Sequence, residues 1–150
     1  MKMKMMLVDD EERFLSTTQK LLSKKGYDVL TATSGGEALE KLRTGNVHVV
    51  ILDVKMPGMD GIAALREIKR QFPTIEVIML TGHATVESAI DGLKTGATDY
   101  LMKPTDIDEI IEKAEEAFMK RQNLEEKIRV ARMRKIVKSP REIINEMDKT

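Results

Sequence analysis

The chain contains an apolar run, Val47-His48-Val49-Val50-Ile51-Leu52, that stops at Asp53. Six residues are too few for a typical helix, and the abundance of valine favours a β-strand buried on both faces. Pro57-Gly58 and Asp60-Gly61 then mark a loop, so Asp53 is not the cap of a helix that follows at once. The run therefore predicts a central strand that delivers a carboxylate to one edge of a sheet.

Three further strand-like runs, before and after the first, also end in polar residues. The runs and the residues that end them are Met5 to Val8 with Asp9 and Asp10, Val77 to Leu80 with Thr81, and Asp99 to Met102 with Lys103. The carboxyl ends of parallel strands meet at one edge, where open α/β sheets bind ligands. Three carboxylates, a hydroxyl and an ammonium at one edge could hold a divalent cation and a phosphoryl group.

Between these runs, apolar residues recur at helical spacing. Val29 to Ala32 adds a fifth short strand, and each of the five strands is followed by a helical segment. This alternation predicts an α/β fold, a three-layer doubly wound sheet of five parallel strands with right-handed crossovers. We expect Ser34 and Asp60 to cap helices, and Thr105-Asp106-Ile107-Asp108 to form a capping box.

Glycines supply the expected helix stops. Gly26, Gly45 and Gly96 each follow a helical stripe, and Pro73 follows another. These positions predict where the helices end before the chain returns to the sheet.

Composition excludes several classes of protein. Lys and Arg together number 25, as do Asp and Glu, so bulk charge does not favour nucleic acid or an anionic membrane as partner. The chain has no cysteine, and no apolar run approaches the roughly 20 residues that span a bilayer. These features predict a cytoplasmic protein without a membrane partner.

The sequence becomes basic and poorer in apolar residues near residue 120. Residues 1–120 form the predicted domain, and residues 121–150 form a basic helical extension with a thin apolar stripe. Ile110, Ala117, Leu124 and Ala131 fall at heptad spacing, but the companion positions include Arg121 and Lys135, which makes a poor coiled-coil seam. The extension has no aromatic residues, so a solvated helix face is favoured over direct nucleic-acid binding. Ser139-Pro140 predicts a further short helix over 140–147.

Asp53 is the predicted nucleophile of the edge. A carboxylate can accept a phosphoryl group in covalent catalysis, and Mg²⁺ would relieve repulsion among Asp53, Asp9 and Asp10. Lys103 is placed to neutralise phosphoryl charge, and Thr81 could hydrogen-bond a phosphoryl oxygen. The alternative for Asp9 and Asp10 is that they only cap the helix that follows.

The arrangement resembles the receiver domain of two-component response regulators. The resemblance covers about residues 4 to 120 and rests on four motifs, Val8-Asp9-Asp10-Glu11, Leu52-Asp53-Val54-Lys55-Met56-Pro57-Gly58-Met59-Asp60-Gly61, Leu80-Thr81-Gly82 and Tyr100-Leu101-Met102-Lys103-Pro104. It implies a flavodoxin-like sheet of order 2-1-3-4-5, with an extended C-terminal helix here. It also implies that Asp53 is the phosphoacceptor for a sensor histidine kinase or phosphotransfer protein.

The same resemblance implies roles for the remaining site residues. Asp10, Asp53 and the backbone carbonyl of Lys55 would ligate Mg²⁺, and Asp9 would assist through water. Thr81 and Lys103 would bind the phosphoryl oxygens, and the peptide bond before Pro104 would be cis. Tyr100 would swing inward with Thr81 on phosphorylation and alter a surface formed by the fourth helix, the last strand and the last helix.

Several functions remain open from the sequence. The main interpretation is a stand-alone, non-enzymatic receiver that signals to a downstream protein partner. The alternative is the receiver-plus-linker part of a longer transcription factor, with a homodimer through the last helices. An aspartyl-phosphate hydrolase of the haloacid-dehalogenase type is disfavoured, because Lys55 stands where that family needs a second aspartate. A flavodoxin is disfavoured because no phosphate loop rich in Ser, Thr and Gly follows the first strand.

Overall fold

A computed structural model describes residues 2–54, 60–82 and 86–136, except the side chains of Val86, Ser88 and Ile136. Strands and helices alternate along these residues. The elements are β1 (Lys4–Val8), α1 (Glu12–Lys24), β2 (Asp28–Ala32), α2 (Gly35–Leu42), β3 (Val49–Asp53), α3 (Gly61–Gln71), β4 (Glu76–Thr81), α4 (Val86–Thr95), β5 (Asp99–Met102) and α5 (Ile107–Ile136).

The five strands form one parallel sheet of order β2-β1-β3-β4-β5. This confirms the predicted fold class and strand order, including the long C-terminal helix. β3 lies at the centre and all five of its residues are buried, as the valine-rich run predicts. The strand is shorter than its apolar run, however, because it begins at Val49 and not at Val47.

Side chains alternate between the two faces of the sheet and so build two cores. On one face Met6, Val8 and Leu52 pack with residues of α2 and α3. On the other face Met5 and Leu7 pack with residues of α1 and α5. The period of two along each strand therefore separates the helices into two outer layers.

The helix ends follow the predicted signals with two differences. Ser34 Oγ accepts a hydrogen bond from Glu37 N–H (3.1 Å), and Asp60 Oδ1 accepts one from Ala63 N–H (2.8 Å), so both predicted caps are confirmed. The cap of α5 lies one residue later than expected, because Asp106 Oδ1, and not Thr105, accepts from Glu109 N–H (2.8 Å).

The second difference is at α2, which ends at Leu42, before the predicted stop at Gly45. Asn46, and not the glycine, takes the left-handed backbone conformation there, with φ of 53°. Gly45 is required for space, since a Cβ would lie 2.8 Å from the Lys41 carbonyl oxygen. Gly26 and Gly96 do take positive φ, 92° and 122°, and end α1 and α4 as predicted.

The chain divides into two compact units, Met1–Phe118 and Met119–Thr150. In the second unit the described residues are helical, and Leu124 and Ile128 are exposed. The boundary between residues 120 and 121 stays a prediction, and the short helix predicted over 140–147 lies outside the described residues. Within the part of the chain that the structure describes, no helix is long and apolar enough to cross a membrane.

Candidate functional site

Polar side chains line the carboxyl edge of the sheet. Asp9 directly follows β1, Asp53 ends β3 and Thr81 ends β4, and all three are buried, with exposed fractions of 1%, 6% and 4%. The strand register brings them level, since Val8 pairs with Leu52 and Asp53 pairs with Leu80. Buried carboxylates are costly unless they are paired or bind a cation, so positive charge is needed beside Asp9 and Asp53.

Three carboxylates form what we call the acidic pocket, Asp9, Asp10 and Asp53. One oxygen from each lies within 4.8 Å of the others. Asp9 and Asp53 are buried and Asp10 is exposed, so the pocket opens toward solvent on the Asp10 side. A cluster of carboxylate oxygens fits a hard divalent cation such as Mg²⁺, which prefers oxygen ligands.

The sequence left open that Asp9 and Asp10 only cap α1, the helix that follows them. The N-cap of α1 is Glu11, whose side chain makes no capping hydrogen bond. Asp9 Oδ1 accepts from the Glu11 N–H (2.9 Å), which orients the Asp9 carboxylate at the start of the turn. Neither Asp9 nor Asp10 is therefore the N-cap of α1.

Lys103 brings the counter-charge to the acidic pocket from the end of β5. Its backbone N–H donates to the Thr81 carbonyl oxygen (2.8 Å), and its peptide bond to Pro104 is cis, as expected. Its ammonium Nζ lies 2.5 Å from Asp9 Oδ2 and 3.8 Å from Glu11 Oε1. The ammonium thus joins the end of β5 to the start of α1.

The charge state of Lys103 follows from these contacts. Partial burial acts to lower the pKa of the ammonium, but the hydrogen bond and charge of Asp9, with the charges of Asp53 and Glu11, outweigh it and raise the pKa. Lys103 is consequently a stable cation at neutral pH.

One contact of Lys103 was not predicted from the sequence. The Phe14 ring lies under the ammonium, with Nζ 4.4 Å from the ring centroid. Phe14 lies in the first turn of α1, and no sequence signal links it to Lys103.

Tyr100 lies on β5 with 38% of its surface exposed. The exposed large apolar residues of β5 and α4 also include Met102, Ile90 and Leu93. Tyr100 is therefore accessible to solvent, and its predicted role as a switch residue stays a prediction. Lys55, the predicted source of a backbone carbonyl ligand, lies outside the described residues.

The comparisons with known proteins agree with this architecture. The receiver domain of NtrX from Brucella abortus superposes with a TM-score of 0.72 at 34% identity, covering 77% of this chain and 98% of that chain. The sequence model of the response regulator receiver domain matches residues 5–115. The chain belongs to the response regulator receiver domain family.

Two curated relatives are much longer proteins. The transcriptional regulatory protein ZraR of Escherichia coli K12 is 44% identical over 113 residues, which is 75% of this chain and 26% of ZraR. The DNA-binding transcriptional regulator NtrC of Klebsiella pneumoniae is 39% identical over 105 residues, 70% of this chain and 22% of NtrC. The chain thus spans about a quarter of the length of these regulators.

Proposed function

We propose that the chain is a phosphoacceptor receiver in which Asp53 takes a phosphoryl group from the phosphohistidine of a sensor histidine kinase or phosphotransfer protein. One observation carries the proposal, namely the acidic pocket together with the Lys103 ammonium 2.5 Å from Asp9. The pocket supplies a nucleophile and oxygen ligands, and Lys103 supplies a fixed positive charge. Membership of the receiver family supports the same chemistry.

The proposed transfer conserves atoms and electrons. The phosphorus–nitrogen bond of the donor breaks and its electron pair returns to the imidazole, while an oxygen of Asp53 forms the new bond to phosphorus. Mg²⁺, when bound, neutralises charge on the carboxylates and the phosphoryl oxygens. Asp10, Asp53 and the Lys55 carbonyl would ligate the cation, and Asp9 would assist through water.

Lys103 and Thr81 bind the phosphoryl oxygens in this proposal. Thr81 is buried at the end of β4 beside Asp53, and Lys103 needs only to turn its ammonium from Asp9 toward Asp53. Both groups act on charge that the incoming phosphoryl group brings, which is how phosphoryl transfer is promoted.

The output that we propose is a change of the α4–β5–α5 surface. Thr81 moves toward the phosphoryl group, Tyr100 turns inward, and the exposed side chains on α4 and β5 rearrange for a downstream protein partner. The exposure of Tyr100, Met102, Ile90 and Leu93 supports this choice of surface. The chain acts in signalling and not as an enzyme that turns over a substrate.

Two settings for this receiver were open from the sequence, and the relatives favour the second. ZraR and NtrC carry the matching region within longer transcriptional regulators. We therefore propose that residues 1–120 are the receiver and residues 121–150 the helical linker of such a regulator, over a stand-alone receiver. A homodimer through the last helices and a cytoplasmic location belong to this proposal. DNA binding would belong to another part of that regulator.

Phosphorylation by acetyl phosphate tests the proposal. With Mg²⁺ present, the mass of the intact chain should rise by one phosphoryl group, and the gain should disappear in Asp53→Asn because the nucleophile is lost. Asp91→Asn, which removes an exposed carboxylate on α4, is the matched control and should keep the gain. Steady phosphate release without a retained label would instead indicate a hydrolase and refute the proposal.

A further inference from the structure

The Lys103 ammonium rests against one segment of the chain. Asp9, Glu11 and Phe14 contact it at 2.5, 3.8 and 4.4 Å, and all three lie between the end of β1 and the first turn of α1. About a fifth of the Lys103 side chain remains exposed. The ammonium is therefore held on the α1 side of the acidic pocket by two carboxylates and one aromatic face.

The aromatic face contributes an attraction that an aliphatic residue of similar size lacks. A cation within about 6 Å of a ring centroid is attracted by the ring quadrupole, and partial desolvation strengthens the attraction. Phe14 is half-buried and packs against the apolar core beneath α1, so its ring is fixed in place by packing. Leucine at this position would keep the packing and lose the attraction.

Holding Lys103 in this position has a consequence for the acidic pocket. Asp9 Oδ2 accepts from Lys103 and Asp9 Oδ1 accepts from the Glu11 N–H, so both oxygens already have a partner. A divalent cation in the acidic pocket competes with the ammonium for Asp9, because two cations beside the same carboxylate repel each other. Any residue that stabilises the contact between Lys103 and Asp9 thus works against the cation.

We propose that Phe14 is a positioning residue that holds the Lys103 ammonium against Asp9 and so lowers the affinity of the acidic pocket for a divalent cation. The inference rests on the proposed function in that Mg²⁺ is the cation of the pocket. It extends the site to a residue that touches neither the cation nor the phosphoryl group. Phe14 acts through Lys103 and changes the affinity of the acidic pocket for the cation.

The contact itself is measurable without any metal. Protons above a ring face are shifted upfield, so the Lys103 ε-methylene protons should show an upfield NMR shift, with assignment from Lys103→Arg. Phe14→Leu should return them to the ordinary lysine position, and Phe14→Tyr should preserve the shift because it keeps the ring. Lys103 resonances that do not differ between wild type and Phe14→Leu would overturn the positioning role.

The effect of Phe14 on Mg²⁺ affinity is measured by titration calorimetry on wild type, Phe14→Leu and Phe14→Tyr. Phe14→Leu should tighten Mg²⁺ binding by about twofold to tenfold, the range expected for loss of one cation–π contact. Phe14→Tyr should stay near wild type. Leu21→Ala is the control for packing, since Leu21 lines the same groove between α1 and the start of α5 as Phe14. Unchanged or weaker binding by Phe14→Leu would overturn the inference.

A double-mutant cycle separates positioning from packing. In a Lys103→Met background, Phe14→Leu should leave Mg²⁺ affinity unchanged, because the ammonium through which Phe14 acts is gone. The same tightening in both backgrounds would show a structural effect and overturn the inference. Failure of the wild-type chain to bind Mg²⁺ would overturn the proposed metal site and its control by Phe14 together. Normal wild-type binding with no effect of Phe14→Leu would overturn Phe14 alone.

Discussion

The buried carboxylate of Asp9 makes two contacts, one through each oxygen. Oδ1 accepts from the Glu11 N–H and Oδ2 accepts from Lys103, so this side chain joins the start of α1 to the end of β5. Asp10, next in sequence, is exposed and completes the acidic pocket from the solvent side. The adjacent aspartates therefore differ in burial although their carboxylate oxygens meet in the same pocket.

Asp10→Asn should weaken Mg²⁺ binding by at least about fivefold, because two unit charges about 4 Å apart attract by roughly 1 kcal/mol in water and by more near a protein surface. Asparagine keeps the size of the side chain and removes the charge. Glu12→Gln, an exposed carboxylate in the first turn of α1, is the matched control. Equilibrium titration of the three proteins measures the effect, and equal affinity of Asp10→Asn and wild type would contradict the role of Asp10.

At the scale of an element, α2 shows how local sequence builds a helix start. Ser34 Oγ accepts from the Glu37 N–H, while the Glu37 carboxylate accepts from Thr33 N–H (3.2 Å) and Thr33 Oγ1 (2.7 Å) and pairs with Lys41 (2.8 Å). The hydrogen bond to Lys41, followed by those to Thr33, lowers the pKa of Glu37 to about 2. Ionised Glu37 therefore stabilises the folded state.

Glu37→Gln should lower the free energy of unfolding by about 1 kcal/mol at pH 7, a discounted figure because the side chain is 36% exposed and screened by solvent. Since the pKa of folded Glu37 lies below the usual glutamate value of 4.5, the stabilisation is complete above pH 4.5 and is lost as pH falls toward 2. The difference between wild type and Glu37→Gln should shrink across that window.

Urea unfolding followed by circular dichroism at several pH values measures this difference. Glu40→Gln, an exposed carboxylate in the same helix, is the control and should match wild type closely. A Glu37→Gln difference that stays constant from pH 7 to pH 3 would refute the assignment of the stabilisation to the ionised carboxylate.

At the scale of the receiver unit, the acidic pocket and the surface that we propose as the output lie on different parts of the sheet. The acidic pocket lies at the carboxyl ends of β1 and β3, whereas exposed Tyr100 and Met102 lie on β5 at the edge of the sheet. Thr81 and Lys103 connect the two, since the Lys103 N–H donates to the Thr81 carbonyl oxygen. A shift of Thr81 toward the pocket can therefore reach β5 through one hydrogen bond.

Beryllofluoride, a phosphoryl mimic, should shift the NMR resonances of Tyr100 when Mg²⁺ is present, because it biases the surface toward the switched state. The same additions to Asp53→Asn should produce no shift, which controls for direct effects of the salts. Light scattering after size exclusion should report a change of self-association in wild type only. Tyr100 resonances that are identical with and without beryllofluoride would remove the switch from the proposal.

Much of the fold was readable because its signals are local. The valine-rich run of β3, the caps Ser34 and Asp60 and the positive-φ glycines Gly26 and Gly96 act within a few residues of themselves. The errors were also local, at places where two neighbouring residues can each cap a helix or take the left-handed conformation. Asp106, and not Thr105, caps α5, and Asn46, and not Gly45, takes the left-handed conformation after α2.

The candidate site also has features that the sequence predicts and features that only the tertiary structure shows. The sequence alone specified that Asp9, Asp53, Thr81 and Lys103 would meet, because parallel strands with βα crossovers put their carboxyl ends on one edge. Only the tertiary structure decided that Lys103 rests on Asp9 and over the ring of Phe14. That contact joins residues about 90 positions apart, and side-chain packing between α1 and the end of β5, which no local pattern encodes, sets its distance.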